Sequence, residues 1–175
     1  MNYIVIPEGI AADNSGKSML MPSFVYRQVL DYVLAIICDK DTVFLAPANT
    51  YGTKSEHELA YDYIINKNQN AHVVCPRVSS GKYIDTRGNA RHLKTFLNDK
   101  FMKLSFDLVC ARIHSYRAEY IFKKEGFKLD RIHRVNYITM DENIASRWWY
   151  YKYKPVHAIY ETLVFLRDII IGRLT

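Results

Sequence analysis

Cysteine and glycine are scarce in this 175-residue chain, and what is missing excludes several chemistries at once. Its three cysteines, Cys38, Cys75 and Cys110, lie far apart near the ends of apolar runs, so no pair has the spacing of a zinc site or a redox couple. They are expected to be buried, reduced thiols, and an odd count without a secretion signal fits a reducing compartment. No Gly-x-Gly-x-x-Gly follows a strand-like run, which leaves an ordinary dinucleotide site without support. Gly16-Lys17-Ser18 ends like a phosphate-binding loop, but position 11 is Ala11, and Met19 to Pro22 stand where a helix would have to begin. An ATPase is therefore rejected. There is no Gly-x-Ser-x-Gly elbow, and His57, His72, His92, His114, His133 and His157 show no zinc-ligand spacing, so no metal site is expected. No basic and then apolar leader precedes the first strand-like run, and no span of about 20 apolar residues occurs. The expectation is a cytoplasmic protein without a transmembrane segment.

Aromatic residues, by contrast, are plentiful, with 14 Tyr and 8 Phe, and a hydrophobic share of 49% makes disorder an untenable reading. The length allows one proper core, so a single domain over 1–175 is expected, with its core at about 3–139 and an aromatic segment and helix at 144–174. A formal charge of +6 fits an anionic partner, whether a phosphorylated metabolite, nucleic acid or an acidic membrane surface.

Short apolar runs at Tyr3–Ile6, Thr42–Ala46, Ala71–Cys75, Phe106–Ala111 and Arg131–Thr139 read as strands, the middle three lacking alternation and so buried on both faces. Helical stripes lie between them: Val25, Val29, Tyr32, Val33, Ile36 and Ile37; Leu59, Ala60, Tyr63 and Ile64; Ala90, Leu93, Phe96 and Leu97; Ala118, Ile121 and Phe122. This alternation predicts an α/β fold, a Rossmann-like three-layer sandwich with a mainly parallel sheet of about five strands. Ligands are then expected at the strand carboxyl ends. Past the last strand, Arg147-Trp-Trp-Tyr-Tyr-Lys-Tyr-Lys154 leads into an amphipathic helix carrying Val156, Ile159, Leu163, Leu166 and Ile170. The aromatic leader is read first as packing on the sheet edge as an oligomer contact, ahead of base stacking or a membrane interface.

The polar clusters fall where this architecture expects a site. The run Phe106–Ala111 empties into a helix opening with His114 and Arg117, cations that a helix N-terminus disfavours unless an anion joins them. The plainer alternative pairs Arg117 with Glu119 or a neighbouring carboxylate on the surface. Glu8 follows the first strand, Ser55 and Glu56 open the second helix, and Thr86 and Asn89 open the third. Ser55 and Thr86 also read as N-caps, and Glu56 as an ordinary first-turn acid.

The ordered set Ser55-Glu56, then Asp85-Thr86-x-x-Asn89, then Leu108 to Ala118 with His114 and Arg117, followed by Phe122 and Gly126-Phe127, resembles the YdcF-like family over about Tyr3 to Thr139. Arg27 also falls where that family carries an early helical Arg. Departures are equally specific: Gly88 stands where the family has Glu before Asn, Pro47-Ala48-Asn49 replaces Ser-Gly-Gly, and the glycine-rich turn after the first strand is reduced to Gly9. The resemblance implies a Rossmann-like domain, a small-molecule cleft, a link to envelope biology, and S-adenosylmethionine or a nucleotide as a ligand in some members.

Three functions follow in order of preference. The first is an enzyme acting on a phosphorylated or nucleotide-linked small molecule by hydrolysis or group transfer. There His114 would move a proton, Glu56 or Glu8 would orient a hydroxyl or water, Arg117 would hold the anion, and Thr86, Asn89, Ser55, Asn49 and Gly9 would line the ligand. The second is a noncatalytic nucleotide or S-adenosylmethionine module, and the third a nucleic-acid or membrane-surface protein.

Overall fold

A computed structural model describes residues 1–13, 15–77, 83–139, 145–146 and 149–174. The chain runs β1 (Asn2–Val5), β2 (Ile10–Ala12), β3 (Ser18–Pro22), α1 (Phe24–Ile36), β4 (Thr42–Leu45), β5 (Thr50–Tyr51), β6 (Lys54–Ser55), α2 (Glu56–Lys67) and β7 (His72–Val74). It continues through α3 (Thr86–Leu97), β8 (Phe106–Ala111), α4 (Arg112–Lys124), β9 (Leu129–Val135), β10 (Ala145–Ser146) and α5 (Lys154–Leu174). Five of these strands form one all-parallel sheet in the order β7-β4-β1-β8-β9.

The strands are apolar on both faces because each face meets its own helix layer. Tyr3, Val5, Val43, Leu45 and Val109 pack with α1 and α2, whereas Ile4, Ile6, Phe44, Leu108 and Cys110 pack with α3 and α4. That alternation within uninterrupted hydrophobic runs is the mark of a sheet covered on both sides. The expected three-layer α/β sandwich is thus the observed one. Strand order reverses between β1 and β8, which opens a crevice at their carboxyl ends.

Two departures from expectation have local causes. The last parallel strand stops at Val135, short of Thr139, because the Gln28 side chain both accepts from the Ile138 amide (2.8 Å) and donates to its carbonyl (2.9 Å). A helix side chain thereby takes the backbone groups that a longer strand would need. A small antiparallel sheet, in the order β10-β2-β3, also escapes the periodicity. β2 has only three residues, and the turn between β2 and β3 holds Gly16 at φ +81° with Lys17 donating to Asp13, so this stretch is a hairpin. Of the cysteines, Cys110 is buried, Cys75 half-buried and Cys38 exposed. Cys38 does not meet the expectation of burial, since it lies in the turn past α1, bonded to the Asp41 carboxylate.

Helix α5 docks on α4 with its polar side inward. His157, Glu161 and Asp168 are buried, while Ile159, Leu163, Leu166 and Ile170 are exposed. Among the described residues no helix is long and apolar enough to cross a membrane.

Candidate functional site

Strands β1, β4 and β8 end around one small cavity, closed from above by the chain entering α5. Its volume is about 90 Å³, and its walls include Gly9, Asn49, Glu56, Thr86, Asn89, His114 and Arg117, seven of the nine residues expected to form the site. Glu8 lies directly behind His114. Ser55 is absent from the wall: it caps α2, accepting from the Glu58 amide while Glu58 reaches back to the Ser55 amide, a complete capping box.

Glu8 organises the centre and has no exposed surface. Its Oε1 accepts from the Ala111 amide (2.8 Å) and lies 3.2 Å from His114 Nδ1, and its Oε2 accepts from the Tyr151 hydroxyl (3.2 Å). His114 Nε2 is 3.1 Å from Thr86 Oγ1 and 3.2 Å from Arg117 Nη2. A guanidinium only donates, so Nε2 carries the lone pair and Nδ1 the proton, which goes to Glu8. Thr86 Oγ1 in turn accepts from Arg117 Nη1 (2.6 Å). Asp85 caps α3, accepting from the Gly88 amide (2.9 Å), which frees the Thr86 hydroxyl from the capping role that its position suggests.

The cation at this helix start is balanced from α5. Arg117 Nε and Nη2 donate to the two oxygens of Glu161 (2.6 and 3.0 Å), and Asp168 lies 3.6 Å from Nη1. Burial works against the charge of Arg117, but its bonds to Glu161 outweigh burial and raise its pKa. Burial likewise disfavours the Glu161 carboxylate, yet His114 and Arg117 more than offset it and its pKa is lowered. The plainer sequence reading, a surface pair with Glu119 or a neighbouring carboxylate, is not what forms: the partner is Glu161, buried and 44 residues away. Glu119 pairs with Lys123 and Arg134 on the surface.

Glu56 is the opposite case. Burial pushes its carboxyl from 4.5 up to about 7, with the Gly9 amide, which donates to Oε2 at 3.2 Å, pulling it back. The remaining wall residues are held by ties between loops. The Asn49 side chain accepts from the Ile84 amide (2.7 Å) and donates to its carbonyl (2.9 Å). Asn89 donates to Pro47, and His57 joins the Ala48 amide (3.0 Å) to the Pro76 carbonyl (2.9 Å). Asn49 and Asn89 thus shape the cavity as much as they line it.

Sequence reasoning missed the contribution of the carboxyl-terminal segment. Tyr150, Tyr151, Tyr160, Glu161, Val164 and Arg167 all line the cavity. Tyr151 is buried, and Tyr150 stacks on Tyr160 at 4.5 Å and 26°. Tyr150 and Tyr151 thus pack within the chain at the cavity, and not on a sheet edge as an oligomer contact; Arg147 and Trp148 lie outside the described residues. One signal was present: His157, Glu161 and Asp168 share the helix face opposite the apolar stripe.

Fold and site together define a Rossmann-like α/β domain with a small, polar, carboxylate- and imidazole-lined cleft at its switch point. No family model, no curated protein and no solved structure matches the chain. Among the described residues no group of three or more His, Cys, Asp or Glu is arranged to hold a metal ion.

Proposed function

We propose that this chain is a cytoplasmic enzyme related to the YdcF-like family, hydrolysing or transferring a group on a phosphorylated or nucleotide-linked small molecule in envelope or sugar-precursor metabolism. The observation that carries the reading is the buried line from Glu8 through His114 to Thr86 on the cavity wall. It presents an unprotonated imidazole nitrogen, oriented by a carboxylate, beside a cation. A cavity of about 90 Å³ holds the volume of about three waters, at about 30 Å³ each, so one group of phosphoryl size enters. The rest of the ligand rests against Tyr83, Tyr150 and Tyr160 at the wall. Glu56, partly protonated near neutral pH, supplies a proton from the other side.

The test is a panel of sugar phosphates, nucleotides, nucleotide sugars and S-adenosylmethionine, with and without magnesium, read by thermal shift and mass-spectrometric turnover. Conversion by the wild type that is lost in a folded His114→Ala variant is the expected result, and conversion untouched by that change would remove His114 from the chemistry.

A second reading, a noncatalytic nucleotide or S-adenosylmethionine module, is favoured by Gly88. A Cβ at that position would meet Ile84 Cγ2 at 2.9 Å, so the glutamate of the YdcF-like pattern has no ready place here. Binding without conversion would select it. The nucleic-acid and membrane-surface reading loses support because Tyr150 and Tyr151 turn into the site. As a partner we propose a second copy of the chain, seated on the exposed α5 stripe, whose spacing of three and four residues from Val156 to Ile170 suits helix-on-helix packing.

A further inference from the structure

We propose that Thr86 is the nucleophile of this site and forms a transient phosphothreonine. This rests on the enzymatic reading above and deepens it. Thr86, Glu8 and Arg117 bond to the His114 ring, and the guanidinium sets the direction of these bonds. Because Arg117 only donates, the Thr86 oxygen accepts from Nη1 (2.6 Å), leaving its own proton to point at His114 Nε2 (3.1 Å), whose lone pair it shares with Arg117 Nη2 (3.2 Å). His114 then donates from Nδ1 to Glu8 (3.2 Å), whose other oxygen is held by Tyr151 (3.2 Å). A hydroxyl, a base and a buried carboxylate thus stand in the order of a nucleophilic relay.

Thr86 is suited to the part for three further reasons. It is one of the residues that line the cavity, next to His114 and Arg117 on the same wall. It is the first residue of α3, a helix of 12 residues whose N-terminal partial charge favours a developing anion. Its hydroxyl has no capping duty, since Asp85 performs that.

In the first step Thr86 Oγ1 attacks phosphorus of a phosphate ester. The bond from Oγ1 to phosphorus forms, the bond from phosphorus to the ester oxygen breaks, and His114 Nε2 takes the hydroxyl proton and returns it to the departing oxygen. In the second step water, or the hydroxyl of an acceptor, attacks phosphorus while His114 takes its proton. The bond to Oγ1 breaks, and that proton restores the Thr86 hydroxyl. Arg117 Nη1 stays on Oγ1 throughout and stabilises it when it carries charge.

The test uses a small phosphorylating probe, dimethyl fluorophosphate, which needs no knowledge of the substrate. Fluoride leaves as Oγ1 bonds to phosphorus, and the adduct is mapped by peptide mass spectrometry. Wild-type protein is expected to carry the label on Thr86. Labelling should vanish in the near-isosteric Thr86→Val variant, persist in Thr86→Ser, and slow by about 100-fold or more in His114→Gln. A merely structural Thr86 would leave a folded Thr86→Ser protein unlabelled. An unlabelled wild type, or a label on another residue, overturns the nucleophile. If the ligand panel is still converted in a His114-dependent way, the enzyme reading stands without it. Labelled Thr86 together with no turnover of any phosphorylated compound supports the nucleophile and overturns the substrate class.

Discussion

Glu56 and Arg117 show how burial is resolved in two different ways within one small cavity. Glu56 has the Gly9 amide but no cation beside it in the bonds it makes there, and its carboxyl is raised to about 7. The folded state therefore holds a proton that the unfolded chain releases above about pH 4.5. Stability from this group is complete below that value and is lost as pH rises through about 7, by about 3 kcal/mol in all. Glu56→Gln is neutral throughout, so urea unfolding between pH 4.5 and 8 should show the wild type losing about that much relative to the variant. Parallel curves would mean that the Glu56 carboxylate is well solvated. Arg117 keeps its charge through Glu161, and removing one partner strands the other. Arg117→Met should cost about 3–5 kcal/mol in urea unfolding, and adding Glu161→Met should restore most of the loss. A double variant no more stable than Arg117→Met would show that the pair contributes specific bonds beyond mutual compensation.

At the level of elements, the start of α3 concentrates the information in the site. Asp85→Ala removes a cap and should cost about 1 kcal/mol by urea unfolding, leaving Thr86 as the first helical residue. Gly88→Ala tests the departure from the YdcF-like pattern. An alanine in a helix interior gains about 1 kcal/mol over glycine, but the new Cβ would press on Ile84 Cγ2 at 2.9 Å. Asn49 holds the Ile84 backbone by both its amide and its carbonyl, so Ile84 has little room to yield. We expect no rise in Tm and weaker ligand binding in Gly88→Ala; a Tm several degrees higher would show that Ile84 moves freely. Helix α5 makes the complementary point, since it presents His157, Glu161 and Asp168 inward and serves the site, whereas its apolar stripe is exposed.

In the whole molecule, that stripe is a row of exposed apolar side chains on one helix. Ile159, Leu163, Leu166 and Ile170 are each more than half exposed, at 62%, 63%, 52% and 61%. Large apolar patches on a soluble surface mark contact sites. Light scattering over a range of concentrations should give a dimer that Leu163→Glu with Leu166→Glu converts to monomer, and a monomer at every concentration would reject the self-contact. The parallel sheet itself was legible beforehand because its signal is local. Runs such as Phe106–Ala111 need burial on both faces, and the helices between them repeat at their own period, so order and layer count follow from chemistry adjacent in the chain. The residues at the strand ends were legible for the same reason: once the topology is granted, Glu8, Glu56, Thr86, His114 and Arg117 must converge. Their pairing was beyond reach. Which carboxylate meets Arg117 depends on how α5 docks, 44 residues along the chain, and an amphipathic pattern does not say which of its faces turns inward. Desolvation decides it, because the buried Arg117 needs an opposite charge more than the exposed leucines need cover. Local periodicity names the elements and the ends at which chemistry gathers, while the partner of a buried charge is set only when distant segments come together in space.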